Sequence, residues 1–167
     1  MQHQLSKHNL IFIVEDNDMY SFMLEYTLSE EHHLRCLRFA KGEECIRNLP
    51  LDPDLIILDY VLPGIDGLET YRQIRNVKPE VPVLVLTGNF DSHAAQHFLE
   101  EGVYDYMLKE EDAMNRVKST VDYVLDKKIK EVDEKEEKDG MNRIVRMILF
   151  FLVLAALCGS LFWLLTG

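Results

Sequence analysis

Five residues with chemistry to offer stand at the ends of four apolar runs. Glu15 and Asp16 follow Leu10–Val14, Asp59 follows Leu55–Leu58, Thr87 follows residues 83–86, and Lys109 follows Leu108. Carboxylates crowded together repel one another, and their pKa values rise unless a cation sits among them. An all-oxygen donor set of this kind suits Mg2+, which binds through one or two carboxylates plus a phosphoryl group. Lys109 brings a compact positive charge for a phosphoryl oxygen, and Thr87 brings a hydroxyl hydrogen bond. In that company Asp59 is a carboxylate nucleophile that accepts phosphate as an acyl phosphate. The structural alternative is a salt-bridged strand edge in which Lys109 only neutralises the acids.

Specific elements have to bring these residues together. The runs at 10–14 and 55–58 show no polar alternation, which marks strands buried on both faces of a parallel sheet. Residues 34–39 form a weaker strand, placed near an edge because Arg35 and Arg38 interrupt it. Residues 83–86 and 103–108 complete five strands. Between them the helical spacings predict a helix capped by Asp18 with Met19, Phe22, Met23 and Tyr26 buried. A short helix over 41–49 is ended by Pro50. A third helix carries Leu68, Tyr71 and Ile74, a fourth spans 92–101 and stops at Gly102, and a fifth begins at Ala113 with Met114, Val117, Val121, Val124 and Leu125 on one side. Five strand–helix units imply a parallel sheet with helices on both faces and right-handed crossovers, and a length of about 125 residues suits the α/β, flavodoxin-like (βα)5 doubly wound order 2-1-3-4-5. Strands one and three are then neighbours whose chains leave in opposite directions, so the switch point opens between Glu15-Asp16 and Asp59, with Thr87 and Lys109 on the next strand ends.

Composition excludes some classes. A net charge of −11 argues against nucleic acid as a partner. Cys36, Cys45 and Cys158 are too far apart in sequence to form a metal-type pair. His93 and His97, at i and i+4, have no acidic or cysteine partner in view and read as surface histidines. Phosphoaspartate chemistry of the haloacid-dehalogenase type wants a second Asp two residues after the nucleophile, and that position is Val61.

The stretch from Leu10 to about Asp126 resembles the receiver domain of bacterial two-component response regulators. The residues that carry the resemblance are Glu15-Asp16, the Asp59 strand with Leu62-Pro63-Gly64-Ile65-Asp66-Gly67, Thr87 followed by Gly88, and Gly102-Val-Tyr-Asp-Tyr106 leading to Lys109. The resemblance implies that Asp59 takes a phosphoryl group from the phosphohistidine of a sensor histidine kinase or phosphotransfer protein. It implies that Glu15, Asp16, Asp59 and the backbone carbonyl of Val61 hold Mg2+. It further implies that Thr87 and Tyr106 are a switch pair that moves inward on phosphorylation and reshapes the face of helix four, strand five and helix five. Glu110 stands where the family usually has proline after the lysine, in a typically cis bond. A cis bond without proline costs about 2.5–4 kcal/mol, so the expectation divides between a strained loop and a trans bond that relocates Lys109.

The C-terminal part reads differently. Residues 126–139 hold five lysines and seven acids, and suit a solvated helical stalk broken at Gly140. Residues 147–165 carry no charge and reach about 28 Å as a helix, enough for a bilayer core. Arg143 and Arg146 precede them, which predicts a single-pass anchor in the cytoplasmic membrane with the receiver facing the cytoplasm. Ala155 with Gly159 and Ala156 with Ser160 give a small-xxx-small pattern suited to a homodimer. The expected organisation is a receiver at 1–125, a charged stalk at 126–142 and an anchor at 143–167. The expected function is a membrane-tethered single-domain response regulator, with no enzymatic turnover beyond its own phosphorylation and dephosphorylation. Its output would be phosphorylation-dependent contact with a membrane or cytoplasmic protein. The alternative is a membrane-anchored docking scaffold that uses the same fold with little phosphorylation.

Overall fold

In the computed structural model, residues 9–32, 34–88 and 92–166 are described, with 31, 32, 92, 94 and 151–166 as backbone alone. The chain divides after Leu125 into two compact units. The first is built from β1 (Leu10–Val14), α1 (Asp18–His32), β2 (Arg35–Phe39), α2 (Gly42–Asn48), β3 (Leu55–Leu58), α3 (Gly67–Val77), β4 (Val83–Thr87), α4 (Ser92–Glu100), β5 (Asp105–Leu108) and the start of α5 (Ala113–Thr166). All strand pairs are parallel and the sheet order is β2-β1-β3-β4-β5, as expected from the alternating units.

Side chains alternate across this sheet, and both faces are covered. Leu10, Phe12, Val14, Ile56, Leu58, Val83 and Val85 join one core with Tyr71 and Ile74 of α3 and Phe98 of α4. Ile11, Ile13, Leu55, Ile57, Leu84 and Leu86 join the other with Leu24 and Leu28 of α1 and Val117, Val121 and Val124 of α5. Each such residue, fully withdrawn from water, contributes about 1.5–3 kcal/mol relative to exposure. Two-sided burial is why these strands lack polar alternation. β2 lies at the edge, with Arg35 and Arg38 exposed.

The register levels the carboxyl ends of the strands. Val14 pairs with Leu58 and Thr87 with Leu108, so Glu15, Asp59 and Lys109 leave the sheet together. The turn after Asp59 depends on glycine. Gly64 has φ +91°, in the left-handed region that glycine adopts without penalty. A Cβ on Gly67 would fall against the Asp59 carbonyl oxygen and 2.6 Å from the Tyr60 Cα. Asp66 then caps α3 by accepting from the Glu69 N–H at 2.8 Å.

Four local expectations are corrected. The expected buried stripe of α1, Met19, Phe22, Met23 and Tyr26, is exposed, and Ser21, Leu24 and Leu28 face the sheet instead. This helix carries apolar residues on two sides, so periodicity did not decide between them; the buried Ser21 Oγ accepts from Arg38 of β2 at 3.2 Å. The α1 cap is Asn17, whose Oδ1 accepts from the Tyr20 N–H at 3.0 Å, while Asp18 opens the helix. α2 ends at Asn48, and Pro50 lies inside a 3-10 turn, Leu49–Leu51. Gly140 does not break the stalk, since α5 runs through it. One glycine costs a helix interior only about 1 kcal/mol, and its neighbours are good helix formers.

Within the second unit the stalk is helical, with Lys127 and Glu131 paired at i, i+4 over 3.8 Å. The membrane span is not borne out: among the described residues no helix is long and apolar enough to cross a membrane. Most of the expected span, residues 151–165, lies outside the residues whose side chains are described, as does Cys158.

Candidate functional site

Glu15, Asp16, Asp59 and Lys109 meet at the carboxyl edge of the sheet, where β1 and β3 separate. Backbone bonds set the edge: the Asp59 N–H donates to Val14 O at 2.8 Å, and the Lys109 N–H donates to Thr87 O at 2.8 Å. Lys109 Nζ lies 2.5 Å from Glu15 Oε2 and 2.6 Å from Asp59 Oδ2. Glu15 and Asp59 are buried, whereas Asp16 is exposed. Carboxylate oxygens of the three acids lie within 4.8 Å of one another, a spacing that fits a single divalent cation. They line a shallow cavity of about 280 Å3 together with Asn17, Tyr20, Val61, Gly88 and Lys109.

The electrostatics fit a cation-binding pocket. Burial pushes the Glu15 carboxyl above its ordinary value of 4.5, the hydrogen bond from Lys109 opposes this, and the nearby Asp59 charge adds to it. One ammonium therefore serves two buried acids. The backbone holds the acids from the other side: the Val61 N–H donates to Asp59 Oδ1 at 3.2 Å, and the Asn17 N–H donates to Glu15 Oε1 at 3.2 Å.

The bond from Lys109 to Glu110 is trans, since the described residues contain no cis peptide bond, yet Lys109 Nζ still reaches Asp59. The expected trade between a strained loop and a displaced lysine does not arise. The four-carbon stem of lysine covers the difference.

The remaining residues singled out in the sequence lie close by. Thr87 is fully buried at the end of β4. Tyr106 sits on β5, half-buried, with its ring 5.9 Å from that of Phe98. Phe98 also meets Tyr60 at 6.0 Å and Tyr71 at 5.7 Å, so one ring links the residue after Asp59, helix α3 and the expected switch tyrosine. Sequence reasoning missed Phe98, because a lone aromatic on a mostly polar helix shows no stripe. It also missed Tyr20, whose ring lies under Lys109 Nζ at 4.7 Å. The available signal was its place in the first turn after the Asn17 cap, which aims it at the strand ends. Glu43 is a third: its Oε1 accepts from the Ile65 N–H at 3.2 Å and braces the turn after Asp59.

A doubly wound α/β domain with three acids and a lysine at its switch point is a class built to handle a phosphoryl group with a divalent cation. Residues 11–122 match the response regulator receiver domain, and the chain belongs to that family. It is 38% identical over 100 residues to the transcriptional regulatory protein AfsQ1 of Streptomyces coelicolor, which covers 59% of this chain and 44% of that protein. The chain thus spans less than half the length of this relative. The phosphorylated cyanobacterial phytochrome response regulator RcpA superimposes with a TM-score of 0.66 at 26% identity, over 71% of this chain and 95% of that one. The Mn2+-bound form of response regulator Rcp1 gives 0.61 at 24% identity, over 66% and 90%, and bears on the fold alone. Receiver domains of response regulators are phosphorylated by histidine kinases, and they bind Mg2+ at an acidic pocket of this kind.

Proposed function

We propose that this chain is a response regulator whose Asp59 accepts a phosphoryl group from a histidine kinase or phosphotransfer protein. The observation that carries the reading is Lys109 Nζ held 2.6 Å from Asp59 Oδ2 at the mouth of an acidic pocket. An Asp59 carboxylate oxygen attacks phosphorus; the bond from phosphorus to the donor breaks, and its electron pair leaves with the donor. Lys109 neutralises a phosphoryl oxygen, while Thr87 supplies the hydroxyl expected to bond another. Glu15, Asp16 and Asp59 would hold Mg2+, with the Val61 carbonyl completing the protein donors. The ion supplies charge neutralisation at the transferring group. Incubation with acetyl phosphate, resolved on a phosphate-affinity gel, tests the reading: a shifted band that requires Mg2+ supports it, and no shift in the parent sinks it.

The Glu15 shift has a consequence for stability. An acid whose folded pKa is raised binds its proton more tightly when folded, so its favourable contribution is complete below 4.5 and is lost as the pH rises through the folded value. Mg2+ held by Glu15, Asp16 and Asp59 would compete with protons for the same carboxylate oxygens. Thermal melts should therefore show a gain in Tm with Mg2+ at pH 7 that shrinks as the pH falls to 4.5. An equal gain at both values would mean that the ion binds elsewhere.

Output runs through protein contact, with the face of α4, β5 and the start of α5 responding to Thr87 and Tyr106. A second reading, docking with little phosphorylation, is favoured by the exposed Met19, Phe22, Met23 and Tyr26 on α1. Localisation rests on the charge-free run at 147–165 behind Arg143 and Arg146, which supports a cytoplasm-facing receiver tethered by residues 143–167. Protease added to inverted vesicles should then release the receiver; recovery of the intact chain in the supernatant without protease would exclude tethering.

A further inference from the structure

Lysine is a poor tool for precise placement, because four rotatable carbons separate its charge from the backbone. At this site three contacts restrict it: Glu15 Oε2, Asp59 Oδ2 and the face of Tyr20, whose ring centroid lies 4.7 Å from Nζ. The first two change when the site is used. Asp59 becomes the phosphoryl carrier, and Glu15 is one of the three acids whose oxygens lie within 4.8 Å of one another. The third does not change. Burial, with the neighbouring Glu15 and Asp59 charges, pushes the Tyr20 hydroxyl up to about 12, so the side chain stays neutral. The backbone that carries the ring is fixed by the helix cap, in which the Tyr20 N–H donates to Asn17 Oδ1 at 3.0 Å. The peptide after Lys109 is trans and leads into Glu110, so no proline ring stiffens the chain there.

We propose that Tyr20 is a positioning residue, its ring face keeping the Lys109 ammonium aimed at the group carried by Asp59 as that ion pair is exchanged for a phosphoryl contact. A cation within about 6 Å of a ring centroid is attracted by the ring quadrupole, most strongly where water is excluded. This site meets both conditions, since the Lys109 side chain is 13% exposed. The proposal rests on the phosphoacceptor reading of Asp59.

The test uses the full chain with Mg2+ and acetyl phosphate, comparing initial labelling rates of the parent, Tyr20→Leu, Tyr20→Phe, Lys109→Ala and the Tyr20→Leu/Lys109→Ala double variant. Tyr20→Leu should slow labelling by roughly tenfold, the scale of one partly desolvated cation–ring contact. The Mg2+ concentration for half-maximal rate should not move, because the acids are untouched. Tyr20→Phe, which restores the ring, should recover most of the rate. In the Lys109→Ala background, Tyr20→Leu should cost nothing further, since the ring acts through that lysine. Parental rate in Tyr20→Leu, a Tyr20→Phe as slow as Tyr20→Leu, a shifted Mg2+ requirement, or losses that multiply in the double variant would each overturn the assignment. An unlabelled parent, or label that survives Asp59→Asn, overturns the phosphoacceptor reading and this one together. A labelled, Asp59-dependent parent with an unaffected Tyr20→Leu overturns this one alone.

Discussion

Asp59→Asn is expected to abolish phosphoryl acceptance, leaving no shifted band above background under conditions that label the parent. The amide oxygen is close to the carboxylate in size but carries no formal charge, so it is a far weaker nucleophile. The variant also removes one of the two anions that hold Lys109 Nζ, leaving the 2.5 Å contact with Glu15 Oε2. Folding should survive, because like charges no longer face each other and the Asp59 N–H bond to Val14 O belongs to the backbone. Loss of label with unchanged circular dichroism is therefore the expected pair of results. Label that persists in this variant would move the phosphoacceptor elsewhere, with Asp16 the first carboxylate to examine.

Phe98→Ala should cost more stability than Asp59→Asn, Lys109→Ala or Tyr20→Leu. Among the described side chains of α4, Phe98 alone is buried, while His93, Gln96, His97, Leu99 and Glu100 face solvent. Its ring packs against Tyr60, Tyr71 and Tyr106 at centroid distances of 6.0, 5.7 and 5.9 Å. Truncating a fully buried Phe costs about 3–5 kcal/mol through lost transfer energy and the cavity left behind. A domain is stabilised by only about 5–15 kcal/mol in total, so at least about a fifth is at stake. The neighbouring Tyr71 hydroxyl, which donates to Glu101 O at 2.9 Å, holds the end of α4 and limits how far the hole can close. Urea denaturation of residues 1–139 measures the difference. A loss below about 1 kcal/mol would show that α4 is held by something other than this ring. The same variant removes the surface on which Tyr106 rests, so any response that passes through Tyr106 should weaken with it.

The residues of the site were legible before any coordinates because they sit where apolar runs end. Leu55–Leu58 and Leu10–Val14 are short, unbroken apolar runs, a length that suits strands covered on both faces, and a strand covered on both faces has its polar chemistry at its ends. Alternation of strands and helices limits the sheet to a few doubly wound orders with right-handed crossovers, and the observed order β2-β1-β3-β4-β5 is the one that makes Glu15 and Asp59 neighbours. Tertiary packing alone decided which side of α1 is buried, since both of its sides are apolar and periodicity cannot choose. It also decided that Gly140 stays helical, because one weak residue costs less than breaking the flanking turns. The reach of Lys109 across a trans bond depended on distances, which a one-dimensional pattern does not contain. For the same reason Tyr20 under that lysine, and Phe98 at the meeting of Tyr60, Tyr71 and Tyr106, became visible only when residues far apart in the chain were brought within a few ångströms.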